Sequence, residues 1–246
     1  MEAVILAAGR GQRMEGLAKP FYKPLLEING MPLVAYAIEY ASAAGAELVT
    51  VVTSTSNHDD IAEAVSSYSR WARLVVQEEP AGPGHATLVA LLEAEFEQTM
   101  LLMSDNIMNQ NEVVEMAMHS RITGADAVGV RTVTPEQASR FTRIQDKKSD
   151  KSKYTFVEGT PIGEEDTWHD GSGVKVWCGP LIFDTGTAIR VLADAWIGRD
   201  HDNVSEMKIG PHLNKIMLKD PQLFDVAAFD VGIPSAYIAQ MNGGRA

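Results

Sequence analysis

Cysteine is almost missing: Cys178 stands alone among 246 residues. No disulfide can close within the chain, and a reducing compartment is expected. Long apolar runs are missing too, with no stretch near the ~18 residues that span a bilayer. The apolar start, Ala3 to Ala8, is too short for a secretion signal, follows Glu2, and runs straight into glycines. No targeting segment is expected, and the expected location is cytoplasmic. Positive charge is scarce, since 21 Lys and Arg face 33 Asp and Glu for a formal net charge of −12. Nucleic-acid backbones and anionic membranes repel such a chain and are excluded as main partners. Any phosphorylated ligand must meet a local basic site or a bridging cation. There is also no excess of Gly (20) or Pro (11), and 45% of residues are hydrophobic. That composition excludes disordered, collagen-like and disulfide-scaffold classes. A chain of this length buries roughly 70–75% of its unfolded surface and needs no staple.

Short β-rich runs alternate with helical patterns through the first half. Strands are expected at 3–8, 48–53, 74–77, 100–104 and 127–133. Helices are expected in MPLVAYAIEYASAAGA, with Pro32 in the first turn, and at 59–69, 85–96 and 112–121. Continuous apolar strands alternating with helices imply a parallel sheet covered on both faces. After Pro135 the rhythm changes. Residues 141–145 and 154–158 flank the polar turn DKKSDKSK and read as a hairpin. A strand at 174–183, a helix at 186–197 and a strand at 224–230 follow. The expected fold is one open α/β domain over 1–246 with an antiparallel insertion in its second half.

VILAAGRGQRM, residues 4–14, follows the first strand directly. Its small residues let the backbone approach a ligand, and successive N–H groups can cradle phosphate. A Walker P-loop is ruled out because GxxxxGK[ST] is absent. A dinucleotide-binding GxGxxG fits poorly, with Met14 at the third glycine and Pro20 and Pro24 interrupting the next helix. A nicotinamide-dependent dehydrogenase is disfavoured for the same reasons. A plain strand-to-helix turn remains open on this segment alone.

LAAGRGQRM followed by KPLLEINGMPLV (23–34) resembles the N-terminal signature of the nucleotidyltransferases that make nucleotide-sugars. Three more segments match in order: Gln77 with GPGHA (82–86), LLMSDN ending near Asp105, and FDVGIPSAYIAQ starting at Phe229. RFTRIQDKK…KYTFVEGTP and VWCGPLIFD are similar to the family's sugar-phosphate region. The resemblance spans nearly the whole chain. It implies a Rossmann-like, open, mixed and mainly parallel sheet with helices on both faces, of the nucleotide-diphospho-sugar transferase type. It assigns nucleotide binding to Leu6, Ala7, Ala8, Gly9, Gly11, Gln77, Gly82 and Gly84. Arg13 and Lys23 become the catalytic cations, and Asp105 and Asp230 the ligands of Mg²⁺. Glu158, Cys178 and Gly179 fall near the acceptor. The nucleotide half is about 1–133 and the acceptor half about 134–246.

Nucleotidyl transfer suits these residue types. The acceptor phosphate is already an anionic nucleophile, so catalysis is positioning plus charge neutralisation. The resemblance thus implies a Mg²⁺-dependent enzyme that joins an NTP to a sugar 1-phosphate or similar small acceptor. Neither nucleic acid nor membrane is an expected partner, and a homo-oligomer stays open. The motifs also depart from the family: Pro83 replaces Thr, Ser104 replaces Gly, Thr142 replaces Gly, Ile233 replaces Thr, and Gly159-Thr160 stands where a lysine usually follows Glu158. Those departures motivate the alternative, a catalytically inactive nucleotide- or metabolite-sensing member. Asp105 could also be an ordinary helix N-cap, RDHDN (199–203) a polar capping turn, and Cys178 a small buried residue rather than a nucleophile.

Overall fold

Buried side chains alternate between two sides along the first strand, and that alternation organises the protein. The computed structural model describes residues 1–9, 22–68, 70–146, 154–166, 168, 171, 173–199, 206–219 and 221–230. β1 (Glu2–Leu6) is buried throughout. Ala3, Ile5 and Ala7 join one apolar cluster, and Val4, Leu6 and Ala8 the other. The first cluster is covered by α1 (Leu33–Ala43) and α4 (Gln110–Thr123), the second by α3 (Pro83–Leu91) and α6 (Thr185–Ile197). A strand buried on both faces needs such helices on each side.

Before α1, β2 (Glu27–Ile28) and β3 (Met31–Pro32) form a hairpin. Asn29 and Gly30 have φ of 53° and 77°, the left-handed pair that a two-residue hairpin turn requires. β4 (Leu48–Ser54), α2 (His58–Ala64) and β5 (Ala72–Gln77) follow. β6 (Gln98–Met103), β7 (Asn106–Met108), β8 (Ala127–Val133) and the short α5 (Pro135–Ala138) come next. β9 (Arg143–Asp146) and β10 (Tyr154–Val157) make the expected hairpin. β11 (Val174–Asp184), α7 (Leu213–Ile216), β12 (Gln222–Asp225) and β13 (Ala228–Asp230) complete the described chain.

Nine strands form the main sheet, and β6, β1, β4 and β5 lie side by side in parallel. β11 runs antiparallel to β6, β8 and β9. With β12 parallel to β8 and β10 antiparallel to β9, only β10 and β11 oppose the common direction. The open, mixed, mainly parallel sheet with helices on both faces is therefore observed.

Three expectations need correction, and one feature goes beyond them: β11 is itself antiparallel and sits inside the sheet between β6 and β8. A register shift between Trp177 and Leu181 lets its first half meet β9 and its second half β6. The helices expected to reach 69 and 96 end at Ala64 and Leu91. Pro32 is the N-cap of α1, not a first-turn residue. The strand expected over 224–230 is broken: Val226 N–H still donates to Val130 O, but Asn109 N–H donates to Ala227 O and the chain leaves the sheet. Among the described residues, no helix is long and apolar enough to cross a membrane.

Candidate functional site

In open α/β sheets, ligands bind outside the carboxyl ends of parallel strands. At that edge β1 hands the chain to Ala7, Ala8 and Gly9. Ala7 N–H donates to Val52 O at 2.8 Å, and Asn57 Nδ2 donates to Ala7 O at 2.9 Å. Asn57 is itself held, since its Oδ1 accepts from Ser54 N–H at 2.8 Å. The start of the glycine-rich loop is thus clamped by a buried side chain that sequence inspection did not single out. Leu6, Ala7 and Ala8 are buried, and a Cβ on Gly9 would meet no described atom within 4 Å. Gly11 and Arg13 lie outside the described residues.

Lys23 opens a short 3₁₀ turn, Lys23–Leu25. Its Nζ contacts Asp105 Oδ2 across 82 residues of chain. Asp105 lies in the two-residue turn between β6 and β7, and the N-cap of α4 is Asn109, so the N-cap reading of Asp105 fails. Asn106 Nδ2 donates to Cys178 O at 2.8 Å, fastening the Asp105 turn to β11. Asp230 arrives by an unexpected route. It does not end a strand of the main sheet; β13 pairs antiparallel with β7 and sets Asp230 opposite Asn106. Arg131 Nη1, donating to Ala228 O at 3.0 Å, and Glu112, accepting from Ala227 N–H at 2.6 Å, fix that ribbon. The two aspartates are therefore neighbours by backbone register, and the side chain of Asp230 lies outside the described atoms.

Hard carboxylate oxygens suit Mg²⁺, which takes one or two carboxylates and fills its shell with water and phosphate oxygens. Among the described residues, no group of three or more His, Cys, Asp and Glu could hold a metal. A site completed by substrate does not need one.

Gln77 ends β5 almost fully buried. Its Nε2 lies 3.1 Å from Gly82 O and 3.1 Å from His85 Nδ1. Burial pushes the His85 pKa down, so the ring is neutral at pH 7. Its face stacks on Trp196 at 3.8 Å between centroids. His85 Nδ1 also lies 3.3 Å from Glu79 O, so Gln77, His85 and the 79–82 loop form one polar cluster at the end of β5.

Gly82 and Gly84 have a packing reason of their own. Gly84 N–H donates to Met207 O, and Met207 N–H donates to Ala81 O, each at 2.7 Å. A Cβ on Gly84 would sit 2.8 Å from Met207 O and 2.9 Å from Lys208 O. Residues 206–210 form a strap lying flat on this loop. Past Lys208 the strap reaches the β9–β10 hairpin, where a Cβ on Gly210 would fall 1.9 Å from Glu158 Oε2.

Glu158 is held from two sides. Thr142 Oγ1 donates to Oε2 at 2.9 Å, and Lys208 Nζ lies 2.8 Å from Oε1. Thr142 at a position where glycine was expected therefore has a role, supporting the carboxylate. Cys178 and Gly179 occupy the irregular stretch of β11. The thiol points toward Gly129 O and Val226 O, and burial pushes its pKa up to about 12. It stays protonated and is no nucleophile at neutral pH. Of the loop 199–203, only Arg199 is described; it pairs with Glu79 at 3.1 Å.

Strand order, crevice and aspartate turn together define the nucleotide-diphospho-sugar transferase type of α/β fold. The chain belongs to the family of the MobA-like NTP transferase domain, whose model matches residues 3–191. It is 29% identical over 259 residues to the UTP–glucose-1-phosphate uridylyltransferase YngB of Bacillus subtilis, covering 94% of this chain and 84% of that protein. It is 31% identical over 149 residues to the UTP–glucose-1-phosphate uridylyltransferase AglF of Haloferax volcanii, with 57% and 58% covered. The bifunctional protein GlmU of Bartonella bacilliformis is 31% identical over 128 residues, and the match spans only 28% of its length. A crystal structure of UDP-glucose pyrophosphorylase complexed with UDP-glucose shares the fold, with a TM-score of 0.74 at 20% identity, over 98% of this chain and 97% of that one.

Proposed function

We propose that the chain is a Mg²⁺-dependent nucleotidyltransferase that joins an NTP to a sugar 1-phosphate, giving an NDP-sugar and pyrophosphate. The observation that carries this reading is the contact of Lys23 Nζ with the Asp105 carboxylate, with Asp230 on β13 opposite Asn106, the next residue along. A cation and two carboxylates at one crevice are what phosphoryl chemistry asks of an acidic chain. An acceptor phosphate oxygen attacks the α-phosphorus, the bond to the β-phosphate oxygen breaks, and pyrophosphate leaves. Lys23 and Arg13 neutralise phosphate charge. Asp105 and Asp230 would hold the metal, which when bound supplies charge stabilisation on the phosphate oxygens. The backbone from Leu6 to Gly11 and the loop of Gly82 and Gly84 border the nucleotide. Gln77, whose amide can pair with an imide edge, favours uracil or thymine as the base. Glu158, Cys178 and Gly179 border the acceptor. Residues 1–246 act as one domain in this reading, and a cytoplasmic location fits its one unpaired cysteine.

The relatives' names make UTP with glucose 1-phosphate the first pair to assay, followed by the other NTPs and sugar 1-phosphates. Pyrophosphate release that depends on Mg²⁺ is the expected result. Asp105→Asn is expected to lower turnover by roughly 2–4 kcal/mol of transition-state stabilisation, the cost of one charge-organising group. NTP binding without turnover for any pair refutes the reading and leaves a nucleotide-sensing domain.

A further inference from the structure

Glu158 carries more support than one carboxylate at a site edge needs. Its side chain is 19% exposed, against 60% for Lys208, although their charged atoms are 2.8 Å apart. Thr142 Oγ1 takes the other oxygen. Only a glycine fits at 210, because any Cβ there would strike both Glu158 and Thr142. The carboxylate is therefore fixed, and the ammonium it holds is the part that faces solvent. No cation follows Glu158 in the chain, since residues 159–161 are Gly, Thr and Pro.

The same ammonium sits on a strap whose backbone is bonded to the loop after Gln77. From Gly84 N–H to Met207 O, along to Lys208, and across to Glu158 and Thr142, bonded contacts link the two halves of the crevice edge. Trp177 N–H then donates to Thr142 O, and Cys178 O accepts from Asn106, next to Asp105. Lys208 thus belongs to the rim that runs from Gln77 round to Asp105, on its acceptor side.

We propose that Lys208 is the cation that binds the acceptor's phosphate, delivered to Glu158 by the 206–210 strap. This rests on the nucleotidyltransferase reading above. In the ligand-free protein Glu158 holds the ammonium in place. When the acceptor arrives, the exposed face of the ammonium takes the phosphomonoester, and the Glu158 oxygen it vacates accepts a sugar hydroxyl. One ion pair therefore reads both ends of a sugar phosphate, and a neutral sugar or a phosphate without its sugar satisfies only half of it. The flexible stem and compact charge of lysine suit such a hand-over.

The test is steady-state kinetics of the full chain with UTP and glucose 1-phosphate, comparing wild type with Lys208→Met and Lys208→Arg. Met keeps the aliphatic stem, and the exposed position makes loss of folding unexpected; an unchanged urea midpoint checks this. Lys208→Met is expected to raise KM for glucose 1-phosphate roughly 10- to 100-fold, the size of one charge-assisted hydrogen bond, with KM for UTP within about twofold. Lys208→Arg is expected to recover most of the loss. An unchanged acceptor KM, or equal rises for both substrates, overturns the proposal. If wild type turns over no NTP and sugar-phosphate pair, the activity reading fails by itself. Calorimetric binding of glucose 1-phosphate and of inorganic phosphate then decides for Lys208: loss of binding in Lys208→Met sustains it, and equal or absent binding in both proteins overturns it.

Discussion

Arg143 is the most informative residue to perturb. It is 2% exposed and its partner Asp166 is 1% exposed, so both charges are out of water. Arg143 Nη1 donates to Asp166 Oδ2 at 3.0 Å, and its Nη2 donates to Thr160 O at 3.0 Å. Asp166 also accepts from Gln145 Nε2 at 3.0 Å and from Gly163 N–H at 2.9 Å. The pair thus closes the loop after Glu158 onto β9. Asp166→Ala strands a buried guanidinium and frees three donors, which is expected to cost about 3–5 kcal/mol. In a chain of this size that is a fall in Tm of roughly 6–20 °C, at about 2–4 °C per kcal/mol. Replacing both partners, Arg143→Met with Asp166→Leu, removes the charge and the need to solvate it together. The double variant is expected to lose less than Asp166→Ala alone, because a buried ion pair offers little net gain over well-packed apolar groups. Urea denaturation of the two variants against wild type measures this. A single-variant loss below about 1 kcal/mol, the size found for solvent-exposed pairs, refutes the reasoning. So does a double variant less stable than Asp166→Ala.

Two further outcomes follow from local geometry. Gly84→Ala is expected to cost about 1–3 kcal/mol by overpacking, since the added methyl meets the strap's carbonyls rather than a movable side chain; a urea midpoint equal to wild type refutes it. Asp184 caps α6 through Thr187 N–H, and the bond from Lys219 is the main reason its pKa is lowered to about 2. A carboxyl held below its unfolded value of about 3.9 stabilises the fold above that pH and loses the contribution as pH falls toward 2. Asp184→Asn is expected to flatten stability between about pH 4 and pH 2 while keeping the cap, measured by thermal unfolding across that range; an unchanged slope refutes it.

Much of the frame was legible in the residues alone. β1, β4, β5, β6 and β8 declare themselves as short apolar runs between helical patterns, because a strand buried on both faces can hold little else. The 141–145/154–158 hairpin was readable from its polar turn, whereas the β2–β3 hairpin at Asn29 and Gly30 was not singled out. The order of the family's motifs was readable by resemblance, and small residues at 7–11 fit a backbone that approaches a ligand closely. The roles of Arg13, Lys23, Asp105 and Asp230 remain proposals, with the Lys23–Asp105 contact supporting one pair of them.

What the sequence could not announce is what depends on distance along the chain. Nothing near Asn57 says that its amide will clamp Ala7, nor does Asn106 advertise Cys178, 72 residues on. Lys208 and Glu158 lie 50 residues apart and meet only because the strap is bonded to the Gly84 loop. The route of Asp230 was likewise decided by tertiary contacts, as Asn109 and Glu112 draw Ala227 out of the sheet and into a ribbon with β7. Local patterns determine which segments become strands and helices, since those choices turn on neighbours within a few residues. Which side chains share the crevice is determined by long-range hydrogen bonds and packing, which form only when the whole sheet has assembled.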